Sequence, residues 1–594
     1  MKNVPTLFLM TVVCIVLPTG QMPVINKLLE SEDRQLIAQV TDGPAGESMG
    51  TGPSESNGED HSPADLAPAD AQRVSRVQAM IDRLPPKQLA GVDLRWHAAL
   101  AATYATRVLH EQSGGRPLYA NFVWGAPAHL DHSEWDVPHC VGRLLHTIFL
   151  WEDLAQQRVQ DEAAVKALRK LLHESISTED HFAHFPKYCR TSEEIDWHSQ
   201  REVLFGLVGL ARYRSDDRSR QFAKKLITAY LQLLGRDDFS PNPQLHGRML
   251  DAVLDYNRTL DDETGRQVAQ KLADLFLIWC DGQKSFPSPA HNHSILGTIA
   301  NLIEFGIETD QPRYVRSAQR MIDGPVYAVR TSFGHVGEGA TVRGEANCTG
   351  DLIRALLMLG RHVDPRYLDD AEIAIRNHLL ASQHLDSSLA LSLPRAELPP
   401  DDVQRVYTNA AERAIGGFAF TLPNDLVDAN YPHLAVDLVE GGMHALVDAW
   451  NHTTDVAFKG LTVHLLFSRK HPSIEVRSYL PQKGRLEIVV YRQCPLRVRI
   501  PTSVERNSLR IIAAGNAVER RFEGTYAIIP PQKSGTQITL TFPLSKKQTT
   551  ETIGDVEYQQ EWIGDTLRSM NPLGTNAPLY VPSRLGIYGE IDNR

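Results

Sequence analysis

The sequence predicts a mainly α-helical body with a β region behind it: an (α/α)6 toroid followed by a C-terminal antiparallel β-sandwich. Three observations carry this. Six segments open on glycine or small residues, at Gly142, Gly206, Gly247, Gly297, Gly350 and Gly441, and run on with apolar residues at the i, i+3, i+4, i+7 spacing of half-buried helices. Their spacing is irregular, which argues against a solenoid of fixed period and for hairpins of inner and outer helices closed into a ring. After about Asp455 the period drops to two, the alternation of half-buried strands.

In chain order, residues 1–21 place Lys2 before an apolar run from Leu7 to Leu17. The run is too short to span a bilayer comfortably, so the segment reads as a secretory signal peptide and the expected location is periplasmic or secreted. Residues 22–72, rich in Gly, Pro, Ser, Ala, Asp and Glu, cannot bury enough apolar surface to fold and read as a low-complexity linker. The toroid is expected over 73–452. Its clearest hairpins start GLVGLARYRSDD at Gly206, GRMLDAVLDYNRTLDDE at Gly247, GTIANLIEFGIETDQ at Gly297 and GDLIRALLMLGRHVDP at Gly350. GRLLHTIFLWEDL at Gly142 is weaker, and GGMHALVDAW at Gly441 supplies a sixth inner helix. The sandwich is expected over 453–545, in runs such as SIEVRSYL, RLEIVVYR and TQITLTFPL. Residues 546–594 read as a tail, with Trp562 and Tyr580, packing on the body.

At 594 residues the chain exceeds one ordinary core. Its net charge of −11, with no basic run, argues against nucleic acid or an anionic membrane surface as partner, and no insertion into a membrane is expected after signal cleavage. Beyond the signal lie Cys140, Cys189, Cys280, Cys348 and Cys494, an odd number without a CxxC pair, so neither a disulfide scaffold nor a zinc ribbon organises the fold.

Chemistry concentrates in FGHVGEGATVRGEANCTGD, residues 333–351. Glu338 and Glu345 stand in a glycine-rich turn with His335 and Cys348, just before an apolar-periodic helix. Paired carboxylates are what glycosidic cleavage needs, one to protonate the leaving oxygen and one to deal with the anomeric carbon. His246 in QLHGR, His293 in AHNHS and His335 fall at inner-helix starts and are candidate substrate hydrogen-bonders. Arg248 and Arg343 are candidate partners for a uronate, and Trp197, with Trp124 and Trp135, a candidate stacking platform. His129, His132 and His139 form a further polar cluster whose spacing fits no standard metal site.

The order of toroid and sandwich, with LRVRIP from Leu496, TFPL from Thr541 and WIGDT from Trp562, resembles glycoside hydrolase family 127, the β-L-arabinofuranosidase group, from about residue 140 onward. His335-Val336-Gly337-Glu338-Gly339 is similar to the family's HIGEA segment. Glu345 and Cys348 approximate the Glu-x-Cys element that follows, with one more residue between them. AIRNHLLASQ (374–383) and GMHALVDAW (442–450) look like family helices.

The resemblance implies a carbohydrate substrate, Glu338 as general acid/base, and a zinc held by three cysteines and a glutamate. One cysteine of an adjacent pair, just before GMHALVDAW, would be the nucleophile. Here that stretch is AVDLVEGG, without a cysteine, so a thiolate site is incomplete and no cofactor is expected. Asp437 and Glu440 occupy the nucleophile's place, and Glu345 or Glu440 is the candidate second carboxylate. The functional expectation is a glycoside hydrolase. The alternatives are a polysaccharide lyase and a catalytically inactive carbohydrate-binding relative.

Overall fold

The computed structural model describes residues 89–581 apart from 90, 123–124, 126, 160, 191–193, 289, 386–396 and 458–459. The expected signal peptide, the linker and Trp124 lie outside the described residues.

Twelve helices build the body: α1 (Leu94–Arg107), α2 (His139–Ala155), α3 (Glu162–Ser175), α4 (Gln200–Tyr213), α5 (Asp217–Leu233), α6 (Met249–Leu260), α7 (Glu263–Gly282), α8 (Asn292–Glu308), α9 (Pro312–Met321), α10 (Ala346–His362), α11 (Tyr367–Ala374) and α12 (Leu438–Thr453). The inner ring is α2, α4, α6, α8, α10 and α12, each packed on the next, with α12 returning to α2. Behind the first five stand α3, α5, α7, α9 and α11. The sixth outer place, behind α12, is taken by α1 from the start of the described chain. This is the (α/α)6 toroid.

The marker glycines do not start the inner helices. Gly142, Gly206, Gly297, Gly350 and Gly441 lie inside α2, α4, α8, α10 and α12, three to six residues past their first residues. They are where neighbouring inner helices touch. A Cβ on Gly142 would sit 2.3 Å from the carbonyl oxygen of Glu202, and one on Gly350 2.7 Å from that of Gly441. Small residues at these crossings let the ring draw tight around its axis.

The outer helices start differently. Asp93, Asp161, Asp216 and Asp262 cap α1, α3, α5 and α7 by accepting a backbone N–H of the first turn. The N-cap residues of the inner helices are Pro138, Ser199, Arg248, His291, Glu345 and Asp437, and none caps with its side chain. Short turns capped by Asp196 and Asn242 lead into α4 and α6.

Beyond α12 two sheets face each other over a core that includes Val463, Val476, Ile488, Val498 and Ile538. One has five strands in the order Arg521–Glu523, Tyr526–Ile529, Leu496–Arg499, Gly460–Val463, Thr454–Ala457. The other has six, with Arg485–Val490 and Thr536–Thr541 at its centre. Pairing is antiparallel except between Gly460–Val463 and Leu496–Arg499, which run parallel. The residues expected as a tail instead form a three-stranded antiparallel meander, Lys546–Ile553, Val556–Ile563 and Thr566–Asn571. Tyr558, Trp562, Leu567 and Met570 of this sheet pack with Phe333, Ala381, Leu426 and Val427 of the helical body. Among the described residues no helix is long and apolar enough to cross a membrane.

Candidate active site

The starts of the inner helices converge at one mouth of the ring, and the segment from Thr331 to Glu345 crosses it. Two glycines make the crossing. Gly334, at φ +90°, lies so close to Ala374 that a Cβ would sit 2.4 Å from that side chain, and Gly339 turns at φ +60°. Between them the backbone N–H of Glu338 donates to the Arg343 carbonyl at 2.6 Å, closing a hairpin over 338–343. The meander holds this segment at both ends. Glu551 accepts the backbone N–H and the hydroxyl of Ser332 at 2.8 and 2.6 Å, and the turn at Gly554 lies against Val342.

The hairpin sets the Glu338 carboxylate on the open start of α8. Oε1 accepts the Asn292 N–H at 2.8 Å and Oε2 that of His293 at 3.3 Å, and the Cys348 thiol donates to Oε2 at 3.2 Å. These donors and His291 favour the anion, but burial, with Glu345 adding to it, pushes the carboxyl up to about 7. His291 sits beside both glutamates, with Nε2 3.6 Å from Glu345 Oε1 and Nδ1 2.7 Å from Ser294 Oγ. Burial pulls its ring down, yet the two glutamates outweigh that and raise it. Its ring also meets those of His198 and His293, at 5.3 and 5.6 Å. His198 in turn stacks on His139 at 5.2 Å, with Trp135 edge-on to both.

Asp437 is the N-cap of α12. Burial would raise it, but His139, with Nε2 3.9 Å away, and Arg143 and His291 hold it below the usual range. Its Oδ1 is buried and accepts no hydrogen bond among the described residues.

Deeper in the ring lies a layer of buried ions. Arg143 and Arg248 pair with Glu202, which they hold down at about 2 against its burial. Arg201 bridges Asp251 at 2.8 Å and Glu440 at 3.2 Å, His146 adds a 2.8 Å bond to Glu440, and Arg354 reaches Asp251 and Asp351. The layer corrects several expectations. Despite its burial, Glu440 is kept well below its ordinary range by Arg201 and His146, so it is a counter-ion with its oxygens taken rather than a free second carboxylate. Arg248 is neutralised by Glu202. The His293 ring belongs to Asp351, 2.6 Å away, and only its backbone N–H reaches Glu338.

His246 and Trp197 are elsewhere too. The His246 ring bonds the Tyr230 hydroxyl at 2.6 Å among Trp197 and Phe239, and burial pushes it down to about 4. His335 is buried against Phe333, bonds His378 and the Val342 carbonyl, and is likewise pushed down to about 4. It props the hairpin from below. Of the sequence candidates, Glu338 and Glu345 come together, while His246, the His293 ring, His335, Arg248, Trp197 and Glu440 are engaged in other contacts. The sequence missed His291, two residues from His293.

The zinc site implied by the resemblance does not fit. Cys348 is the one described cysteine whose sulfur bonds a site glutamate, and burial among Glu338 and Glu345 pushes its thiol well up, the opposite of a thiolate ligand. His291, Glu338 and Glu345 do bring one donor atom each within 4.8 Å of one another, an imidazole–carboxylate set rather than a sulfur one.

No protein-family model matches the chain, and no curated protein matches it by sequence. Solved structures do match. A glycoside hydrolase family 127 β-arabinofuranosidase aligns with TM-score 0.55 at 11% identity, over 83% of this chain and 82% of its own. A structure described as a glycoside hydrolase aligns with TM-score 0.53 at 10% identity, over 82% and 84%. A family 127 β-L-arabinofuranosidase from Geobacillus stearothermophilus T6 aligns over 85% and 81% at 13% identity, with TM-score 0.49. At such identities the likeness is one of fold, toroid and sheets together.

Proposed function

We propose that this protein is a glycoside hydrolase, exported to the periplasm or beyond, that cleaves a poly- or oligosaccharide at the mouth of the toroid. One observation carries the reading: Glu338 is a buried carboxyl that titrates at about 7, set beside Glu345 and His291 where the inner-helix starts converge. A general acid works best when its pKa lies near the operating pH, because it then holds its proton and still gives it up. Asp437, held ionised with one oxygen free of hydrogen bonds, is the complementary group that attacks the anomeric carbon or activates water. Two carboxyls driven apart by their surroundings make an acid and a base from one chemistry. Glu345 shares His291 with Glu338 and adds its charge to the forces that keep the acid protonated.

The fold of the family 127 structures and the HVGEG segment support a distant kinship with that family. The missing cysteine pair means that its thiolate chemistry does not come with the kinship.

Purified protein screened against aryl glycosides and polysaccharides, with reducing-end detection, should release sugar. Glu338→Gln should cut turnover by roughly 10²- to 10⁴-fold, the usual worth of a general acid/base, without loss of melting temperature near neutral pH. Near-normal turnover by Glu338→Gln overturns the assignment. Glycan binding without turnover by the wild type marks an inactive relative instead.

A further inference from the structure

We propose that Arg343 reads an anionic group on the substrate, a carboxylate or sulfate on the sugar bound at the glutamates, so that the enzyme takes acidic rather than neutral glycans. The inference rests on the reading of the mouth as a sugar site and adds the class of sugar.

Arginines in this molecule are generally spoken for. In the ring, Arg143, Arg201, Arg248 and Arg354 each reach a carboxylate. In the sandwich and at its edge, Arg499 pairs with Asp369 and Glu372, and Arg469 donates to backbone carbonyls. Arg343 differs. It is half-buried at the mouth, and among the described residues its guanidinium has no carboxylate or carbonyl partner at all. Desolvating a guanidinium without an acceptor costs free energy, which an incoming oxyanion would restore.

Position ties this cation to the carboxylates. Arg343 enters the short strand Gly344–Glu345, which pairs with Phe420–Thr421. Arg343 immediately precedes that strand and lies two residues from Glu345, close enough for both side chains to reach the Phe420 end of the pair. Contacts bear this out: the guanidinium lies 4.5 Å above the Tyr431 ring and 5.9 Å from Phe420, the residue opposite Glu345. The Tyr431 hydroxyl is buried within the electrostatic reach of Asp437 and Glu345 as well as of Arg343. The cation–π contact with Tyr431 holds the guanidinium without using its N–H groups, which stay available for bidentate capture of an oxyanion. Across the hairpin, the Arg343 carbonyl holds the Glu338 backbone. The acid and the arginine thus stand on one hairpin, and in this proposal one sugar residue meets both.

The test is equilibrium binding by calorimetry at low salt, using the full chain. The probes are methyl glucuronide, methyl galacturonide, a sulfated methyl galactoside and the neutral methyl glycosides that match them. At least one acidic probe should bind tenfold or more tighter than its neutral twin, and the arm that does so separates carboxylate from sulfate. Arg343→Met should erase the preference, a loss of about 10- to 100-fold in affinity for a charge-assisted contact. Arg343→Lys keeps the charge but not the fork and should retain part of it, which excludes misfolding as the cause. Equal or undetectable binding of acidic and neutral probes, or a preference that survives Arg343→Met, overturns the proposal. Hydrolysis of neutral glycosides that depends on Glu338 would leave the hydrolase reading standing while this one falls. An unsaturated product from a uronide would reassign the site as a lyase and keep the role of Arg343.

Discussion

Inner and outer helices of the ring have much the same apolar periodicity and opposite beginnings. Four outer helices start on an aspartate whose side chain satisfies the first turn. The inner helices start on Arg248, His291, Glu345 and Asp437 among others, whose side chains turn away from their own backbones. The N–H groups left over at α8 are taken by Glu338, a residue from a distant hairpin. A helix start can thus be closed locally for stability or left open for a site, because the four unsatisfied N–H groups serve either purpose. In this fold the inner layer is uncapped throughout, while four of the six outer helices are capped and α9 and α11, starting after Gln311 and Arg366, are not.

The comparison can be broken most forcefully in the ion layer. Arg201→Met removes the cation between Asp251 and Glu440, leaves Asp251 to Arg354 and Glu440 to His146 and Arg143, and should cost about 3 kcal/mol in denaturant unfolding. Unchanged stability would mean that the layer is solvated. Next is the pH dependence that the open start of α8 imposes. With the acid at about 7, kcat should fall as pH rises through that value, and Glu338→Gln should abolish this limb. Stability should follow the same group. A carboxyl raised on folding favours the native state below its unfolded value near 4.3 and loses that contribution as pH climbs through about 7. The melting temperature of Glu338→Gln should therefore gain on the wild type between pH 5 and 8; a gap that stays constant with pH contradicts the raised value. The smallest effect belongs to the outer caps. Asp161→Ala and Asp216→Ala should each cost about 1 kcal/mol of stability and leave kcat unchanged. A change in kcat there would erase the functional difference between the layers.

Much of this was legible from the chain. The inner helices are, because apolar spacing and contact glycines recur in each, although the glycines mark crossings rather than starts. That offset explains the choice of the wrong histidine. In AHNHS, His291 is the N-cap facing the glutamates and His293 is already inside α8, and only the true start tells them apart. Glu338 and Glu345 stand out because a glycine-rich turn before a helix is a local feature. The ion layer is not local: Arg143, Glu202, Arg201, Asp251 and Glu440 come from four helices, and along each one they look like a solvated face. The meander escaped notice because its first strand, KKQTTETI, is exposed for nearly its whole length, so period two carries no apolar contrast there.

The place of α1 has a further consequence, for the order in which the chain can fold. The first helix of the ring packs against its last inner helix, α12, more than 300 residues later. During synthesis the hairpins from α2 onward can pair as they emerge, but α1 cannot complete its packing on α12 until residue 453 is made. Contacts of such sequence separation are slow to form, because a long loop must close before they reward it. The ring therefore completes as a late, cooperative event, and the mouth that carries Glu338, Glu345 and Asp437 comes into being with it, since Asp437 is the N-cap of the helix that closes the circle.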